Sequence, residues 1–211
     1  MGFGQRGTAS RNQIFVPING LSMITAHEVV HAISVAIGDG FAFWPFEEGL
    51  AQVVQVLHNF YDRDRFGWAY QVWPILVEGF IPRYYGYGVY ASYEIASAVR
   101  NFLLKDYENV VPFYHFLAYT ALNAPPGLGT ALPYFRQRHG SPSEIHTLYT
   151  AHSFVMYLIE TYGTEQYFLV HFDMYPFEYV YGMTLQEMIK EWMDFLSVAA
   201  GEFLYAAMQA Q

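Results

Sequence analysis

Between His27 and His31 the chain reads His-Glu-Val-Val-His, and this pentapeptide sets the strictest condition on its fold. Two histidines four residues apart meet only where the backbone is helical, because both rings then leave one face about a turn apart. Their nitrogens can converge on a single metal ion at about 2.0–2.1 Å. Glu28, beside the first histidine, is offset enough to reach a water at the metal rather than the metal itself. The pattern therefore offers two ligands and a base. Taken alone, the pair reads equally well as two partly buried histidines bonded to neighbouring side chains.

A catalytic zinc site usually has a third protein ligand and an open fourth position. Beyond Gly38-Asp39-Gly40 and an apolar FAFWPF turn, a second helix is expected from about Glu47 to Phe60, with Leu50, Val53, Val54 and Leu57 as its apolar contacts. If it runs antiparallel to the first, its start returns to the histidines, which brings Glu47 and Glu48 into range. Adjacent helical residues point about 100° apart, so only one of the two can face the metal.

The rest of the chain reads as mostly helical. Residues 1–11 form a flexible lead-in, and QIFVPI (Gln13 to Ile18) is a short β-prone run that Pro17 marks as an edge or terminal strand. Asn19 or Ser22 can cap the HEVVH helix, in which Met23, Ile24, Val30 and Ile33 are the expected apolar contacts, with the motif in mid-helix. Asp62 to Arg65 is a solvated turn, and Trp68 to Tyr93 is an aromatic, glycine-punctuated stretch. Helices are expected from about Ser92 to Lys105 and from about Val110 to Leu122. Ser141-Pro142-Ser143-Glu144 carries a capping-box signature for a helix ending at Tyr162, with Gly163 as a left-handed cap. A short helix from Thr164 to Phe172 follows. Thr184 to Glu187 repeats the capping signature and opens a last helix through Trp192 and Leu196.

HEVVH followed by FEEGLAQ resembles the gluzincin metallopeptidases, the thermolysin-like group with a His-His-Glu zinc site. The later segments YTAHSFVMYLIETYG and YGMTLQEMIKEWMDFL are similar to the closing pattern of that family. The resemblance covers about 13–60 and 145–197. It implies a zincin-like metallopeptidase core, here mainly α with a C-terminal helical lobe; the family's mixed sheet before the active-site helix is expected to be reduced or missing, since only 26 residues precede His27. It implies a single domain in which 1–60 carry the zinc half, 61–140 an aromatic and helical insertion, and 141–211 the helical lobe. It implies Zn²⁺ held by His27, His31 and Glu48, the glutamate directly before glycine being the ligand, with Glu28 as general base. Tyr149 is the implied oxyanion-stabilising residue, with His152 and Tyr93 as competitors. Gln52 departs from the family pattern, standing four residues after Glu48 where an acid often orients a ligand histidine.

The activity so implied is hydrolysis of peptide bonds in a peptide or protein substrate, lying extended along the QIFVPI edge. The competing expectation is an inactive peptidase-like domain that binds a protein or peptide partner through an aromatic cleft, for which the Trp68 to Tyr93 stretch is the candidate. A net charge of −9 without a Lys/Arg cluster argues against nucleic acid. A membrane-embedded protease is also disfavoured. The longest stretch lacking charged residues, Asn109 to Phe135, is broken by Pro112, Pro125, Pro126, Gly127, Gly129 and Pro133, so no integral membrane segment is expected. The absence of cysteine removes disulfides and thiolate ligands. The polar, glycine-rich start does not resemble a signal peptide, which suits a cytosolic protein or a trimmed piece of an exported one.

Overall fold

The structure, a computed structural model, describes residues 8–10, 13–15, 25–37, 44–61, 102, 110–123 and 144–209. The expected caps at Asn19 and Ser22, the contacts of Met23 and Ile24, the DRDR turn, the 68–93 stretch, the 92–105 helix apart from the helical Phe102, and the Ser141 cap lie outside them. The described residues are mainly helical, as expected. They fall into two compact units, one drawn from 1–68 and 155–185, the other from 69–154 and 186–211.

The first unit opens on a hairpin. Strand β1 (Thr8–Ser10) pairs antiparallel with β2 (Gln13–Phe15), Ala9 opposite Ile14. The strand expected in QIFVPI is thus present, and part of the expected lead-in is its partner. Both strands lie against α1 (Thr25–Ile37). HEVVH sits at the N-terminal end of α1, not in mid-helix. Its inward stripe is His27, Val30, His31 and Ser34, all buried, at the i, i+3, i+4, i+7 spacing of one helix face. Ile33, expected in the core, is 47% exposed because that stripe takes the inner face.

Helix α2 (Trp44–Tyr61) packs along α1. It starts three residues before the expected Glu47, taking in the end of the apolar turn. Pro45 fits its first turn, where an amide N–H has no intrahelical partner to lose. The buried face carries Glu47, Ala51 and Gln55, with Leu50 and Val56 beside them, so Leu57 turns outward and is 37% exposed. Two acids steer this helix's inner face, which apolar spacing alone does not reveal.

The second unit holds α3 (Val110–Leu122), the first part of α4 (Glu144–Tyr162) and α7 (Leu185–Gln209). Helix α7 buries Met188, Trp192, Leu196, Ala200, Phe203 and Ala207, one stripe at three- and four-residue spacing. Phe203 packs on Phe113 and Phe116 of α3 at 5.9 and 4.9 Å between ring centroids. The indole of Trp192 donates to Ser153 Oγ at 3.1 Å, and Ser153 also meets His115 Nδ1 at 2.8 Å. These buried polar groups are therefore partnered, as burial requires.

Helix α5 (Thr164–His171) and the short α6 (Phe177–Tyr181) complete the first unit. Gly163 joins α4 to α5 at φ 101° and ψ 158°, extended at positive φ, so it is not the left-handed cap expected. That conformation is open essentially to glycine alone, and a Cβ there would also lie 2.9 Å from Gln166 Oε1. The left-handed cap stands instead at Gly182, φ 72°, which ends α6.

Candidate metal centre

The two histidines of α1 and the acids of α2 meet where the helices pack. His31 Nε2 lies 3.0 Å from His27 Nε2, His27 Nε2 lies 3.2 Å from Glu48 Oε2, and His31 Nε2 lies 3.6 Å from Glu48 Oε1. His27, His31 and Glu48 each offer one ligand atom, all within 4.8 Å of one another, and no other such group occurs among the described residues. All three are at least nine-tenths buried.

A tetrahedral zinc ion with bonds of about 2.0–2.1 Å separates its ligand atoms by about 3.3–3.4 Å. The histidine nitrogens at 3.0 Å and the two Glu48 approaches, 3.2 Å by Oε2 and 3.6 Å by Oε1, lie on either side of that value. The donor set also fits: two imidazole nitrogens and one carboxylate, with no sulfur. Two Nε2 atoms face each other in a buried site, an arrangement that needs a proton or a cation between their lone pairs.

Glu47, the second acid of the pair, does something different. Its Oε1 accepts from His31 Nδ1 at 2.7 Å, and its Oε2 lies 3.0 Å from Nε2 of His171 on α5. With the His31 proton on Nδ1, the Nε2 lone pair is left for the cation, the usual outer-shell device of metal histidines. The orienting carboxylate that Gln52 does not provide thus comes from the residue just before the ligand. His27 has no equivalent, and its Nδ1 has no partner among the described residues.

Electrostatics set the roles apart. Burial raises the Glu47 carboxyl, but hydrogen bonds from His171, His31 and Ser34 and the His31 charge overcome it and hold its pKa at about 2. Glu47 is a fixed anion. Burial pushes the His31 imidazolium down, yet the Glu47 bond and the charges of Glu48, Glu47 and Glu28 carry its pKa above the ordinary value. Glu28 sits in the first turn of α1 and is buried. Its pKa is raised by burial, against the pull of His27 and His31 and with the push of Glu48. A carboxyl raised in this way holds a proton more readily than an ordinary glutamate, which suits a group that must accept one.

The chain matches no family model, no curated protein and no solved structure.

Of the residues singled out in the sequence, the structure brings His27, His31, Glu28 and Glu48 together. Tyr149 belongs to the second unit, where its ring meets Tyr114 edge-on at 5.6 Å. His152 stacks on Tyr114 at 4.0 Å, and burial, followed by the His115 charge, lowers its pKa to about 3, so it is neutral. Tyr93 lies outside the described residues. Sequence reasoning missed His171 and Ser34. Ser34 had a signal, since it continues the His27–His31 face by three residues; His171 comes from a distant helix and had none.

Proposed function

We propose that the chain is a zinc-dependent peptidase, with His27, His31 and Glu48 as metal ligands and Glu28 as general base. The observation that carries this reading is a buried two-histidine, one-carboxylate cluster with a buried carboxyl of raised pKa beside it. The same ligand set also serves iron(II) oxygenases, and Glu28 is what favours hydrolysis. Zinc, when bound, supplies Lewis acidity that polarises the scissile carbonyl and lowers the pKa of water. Glu28 takes one proton from the attacking water as the new C–O bond forms, and delivers it to the leaving amine nitrogen as the C–N bond breaks. Glu47 keeps His31 in the tautomer that ligation needs. Among the described residues the β1–β2 hairpin against α1 has no third strand, which leaves an edge on which an extended peptide can pair. These steps rest on side chains of the first unit and assign none to Tyr149. Among the described residues no helix is long and apolar enough to cross a membrane. The aromatic stretch invoked for a non-enzymatic binding domain lies outside the described residues, so no observation favours that alternative.

Incubation with a peptide library tests the proposal directly. Cleavage should stop on adding a chelator and return with one equivalent of zinc. Cleavage that ignores the chelator, or a protein that takes up no zinc, removes the reading.

Acid should strip the metal early. Ligation requires His31 Nε2 to be unprotonated, and a raised pKa means that its proton is held to a higher pH than usual. Apparent zinc affinity should therefore begin to fall above the ordinary histidine pKa of about 6.5, by about tenfold per pH unit for each proton displaced. Chelator-competition titrations between pH 5.5 and 8.5 would read this, on the order of one unit per step. A flat profile across that range contradicts the ligand role of His31.

A further inference from the structure

We propose that His171 is a positioning residue that tunes zinc affinity through Glu47 and His31, two residues removed from the metal. The inference rests on the zinc reading above and extends it to a residue of a different helix. Glu47 is 1% exposed, and each of its oxygens meets a different imidazole: Oε1 meets His31 Nδ1 at 2.7 Å and Oε2 meets His171 Nε2 at 3.0 Å. A carboxylate held at one oxygen can swing about its last torsion, whereas one held at both cannot. Apart from this 3.0 Å approach Oε2 has no hydrogen-bond partner among the described residues, so the His171 ring is what biases the direction in which Oε1 accepts from His31.

His171 is itself tightly placed. Its ring lies nearly parallel to Tyr167, with centroids 5.4 Å apart and planes at 14°, and Phe172 packs edge-on at 4.5 Å. The Tyr167 hydroxyl donates to the Phe46 carbonyl at 2.7 Å, pinning α5 to the start of α2 just before Glu47. Ser34 Oγ approaches His171 Nε2 at 3.4 Å from the α1 face that carries His27 and His31. One imidazole thus ties α5 to the ligand helix and to the carboxylate that aims His31.

The test compares His171→Phe, which keeps the ring stack and loses the N–H donor, with His171→Gln, which keeps a donor and loses the ring. Two readouts are used: zinc affinity by chelator competition, and the His31 tautomer in metal-free protein by long-range ¹H–¹⁵N spectra. Loss of an outer-shell partner costs about 10–100-fold in metal affinity. That range belongs to Glu47 itself, so the phenylalanine variant, one step further out, should bind zinc more weakly by up to about tenfold and show a mixed His31 tautomer. The glutamine variant should recover most of the affinity and a single Nδ1–H tautomer. Wild-type affinity in His171→Phe overturns the proposal, as does a glutamine variant no better than phenylalanine. If His171→Phe does not fold, His171→Leu carries the same comparison, and failure of both to fold assigns His171 to the core and ends the proposal. A wild-type protein that binds no zinc ends the zinc reading instead, while the tautomer spectra still decide whether His171 acts on His31.

Discussion

Replacing Glu28 with glutamine is expected to leave one zinc bound and to lower peptide hydrolysis by about 10²- to 10⁴-fold, the usual contribution of a positioned general base. Glutamine keeps the shape and the hydrogen-bonding oxygen but cannot accept a proton from water at neutral pH. Zinc stoichiometry should hold, since the ligand group is His27, His31 and Glu48 and does not include Glu28. Stability should hold too. Folding raises the Glu28 pKa, chiefly through burial, so the folded state favours its protonated form. The charged side chain then lowers stability progressively as pH rises from the unfolded value of about 4.5 through the raised folded value, and a neutral amide removes that cost. Metal-free Glu28→Gln should therefore melt no lower than wild type at neutral pH. Equal turnover in the two proteins would rule out Glu28 as the base, and loss of zinc in the variant would place it among the ligands.

Much of this site was legible because its logic is local. Histidines at i and i+4 must share a helix face, and α1 places them so, with Val30 and Ser34 completing the buried stripe. What depended on tertiary structure was not legible. Periodicity gave Ile33 and Leu57 to the core, but the inner faces of α1 and α2 are occupied by imidazoles and carboxylates, and both apolar residues turn outward. The choice between Glu47 and Glu48 came from a family resemblance, because spacing alone admits either. Both prove to be engaged, one beside the histidine nitrogens and one behind them. His171 was beyond reach, since its approach to Ser34 spans 137 positions along the chain. The five-residue helix α6 lies between Pro176 and Gly182 and is too short to show a period. Helix α7 runs on past Leu196 to Gln209, carried by a stripe that includes Ala200 and Ala207, and a Cβ at Gly201 would meet only open space.

Glu48→Ala should abolish stoichiometric zinc binding, the largest effect on the metal expected of any single change here. Losing an outer-shell partner costs about 10–100-fold in affinity, so losing a direct ligand from a three-residue set should cost more than about 100-fold. Glu48 is buried with an oxygen 3.2 Å from His27 Nε2, and alanine leaves two imidazoles with no carboxylate in the ligand group. Its neighbour provides the control. Glu47→Gln retains an oxygen that can accept from His31 Nδ1 but gives up the charge, so it should weaken binding only within the 10–100-fold range. Thermal melts read both variants without any substrate. Zinc at a hundred times its Kd should stabilise the wild type by about 2.7 kcal/mol, and Glu48→Ala should gain nothing at the same concentration. The opposite order, with Glu47→Gln metal-free and Glu48→Ala still loaded, would exchange the roles of the two glutamates. It would also undo the case for His171, which reaches the metal only if Glu47 stands behind His31 rather than beside the ion.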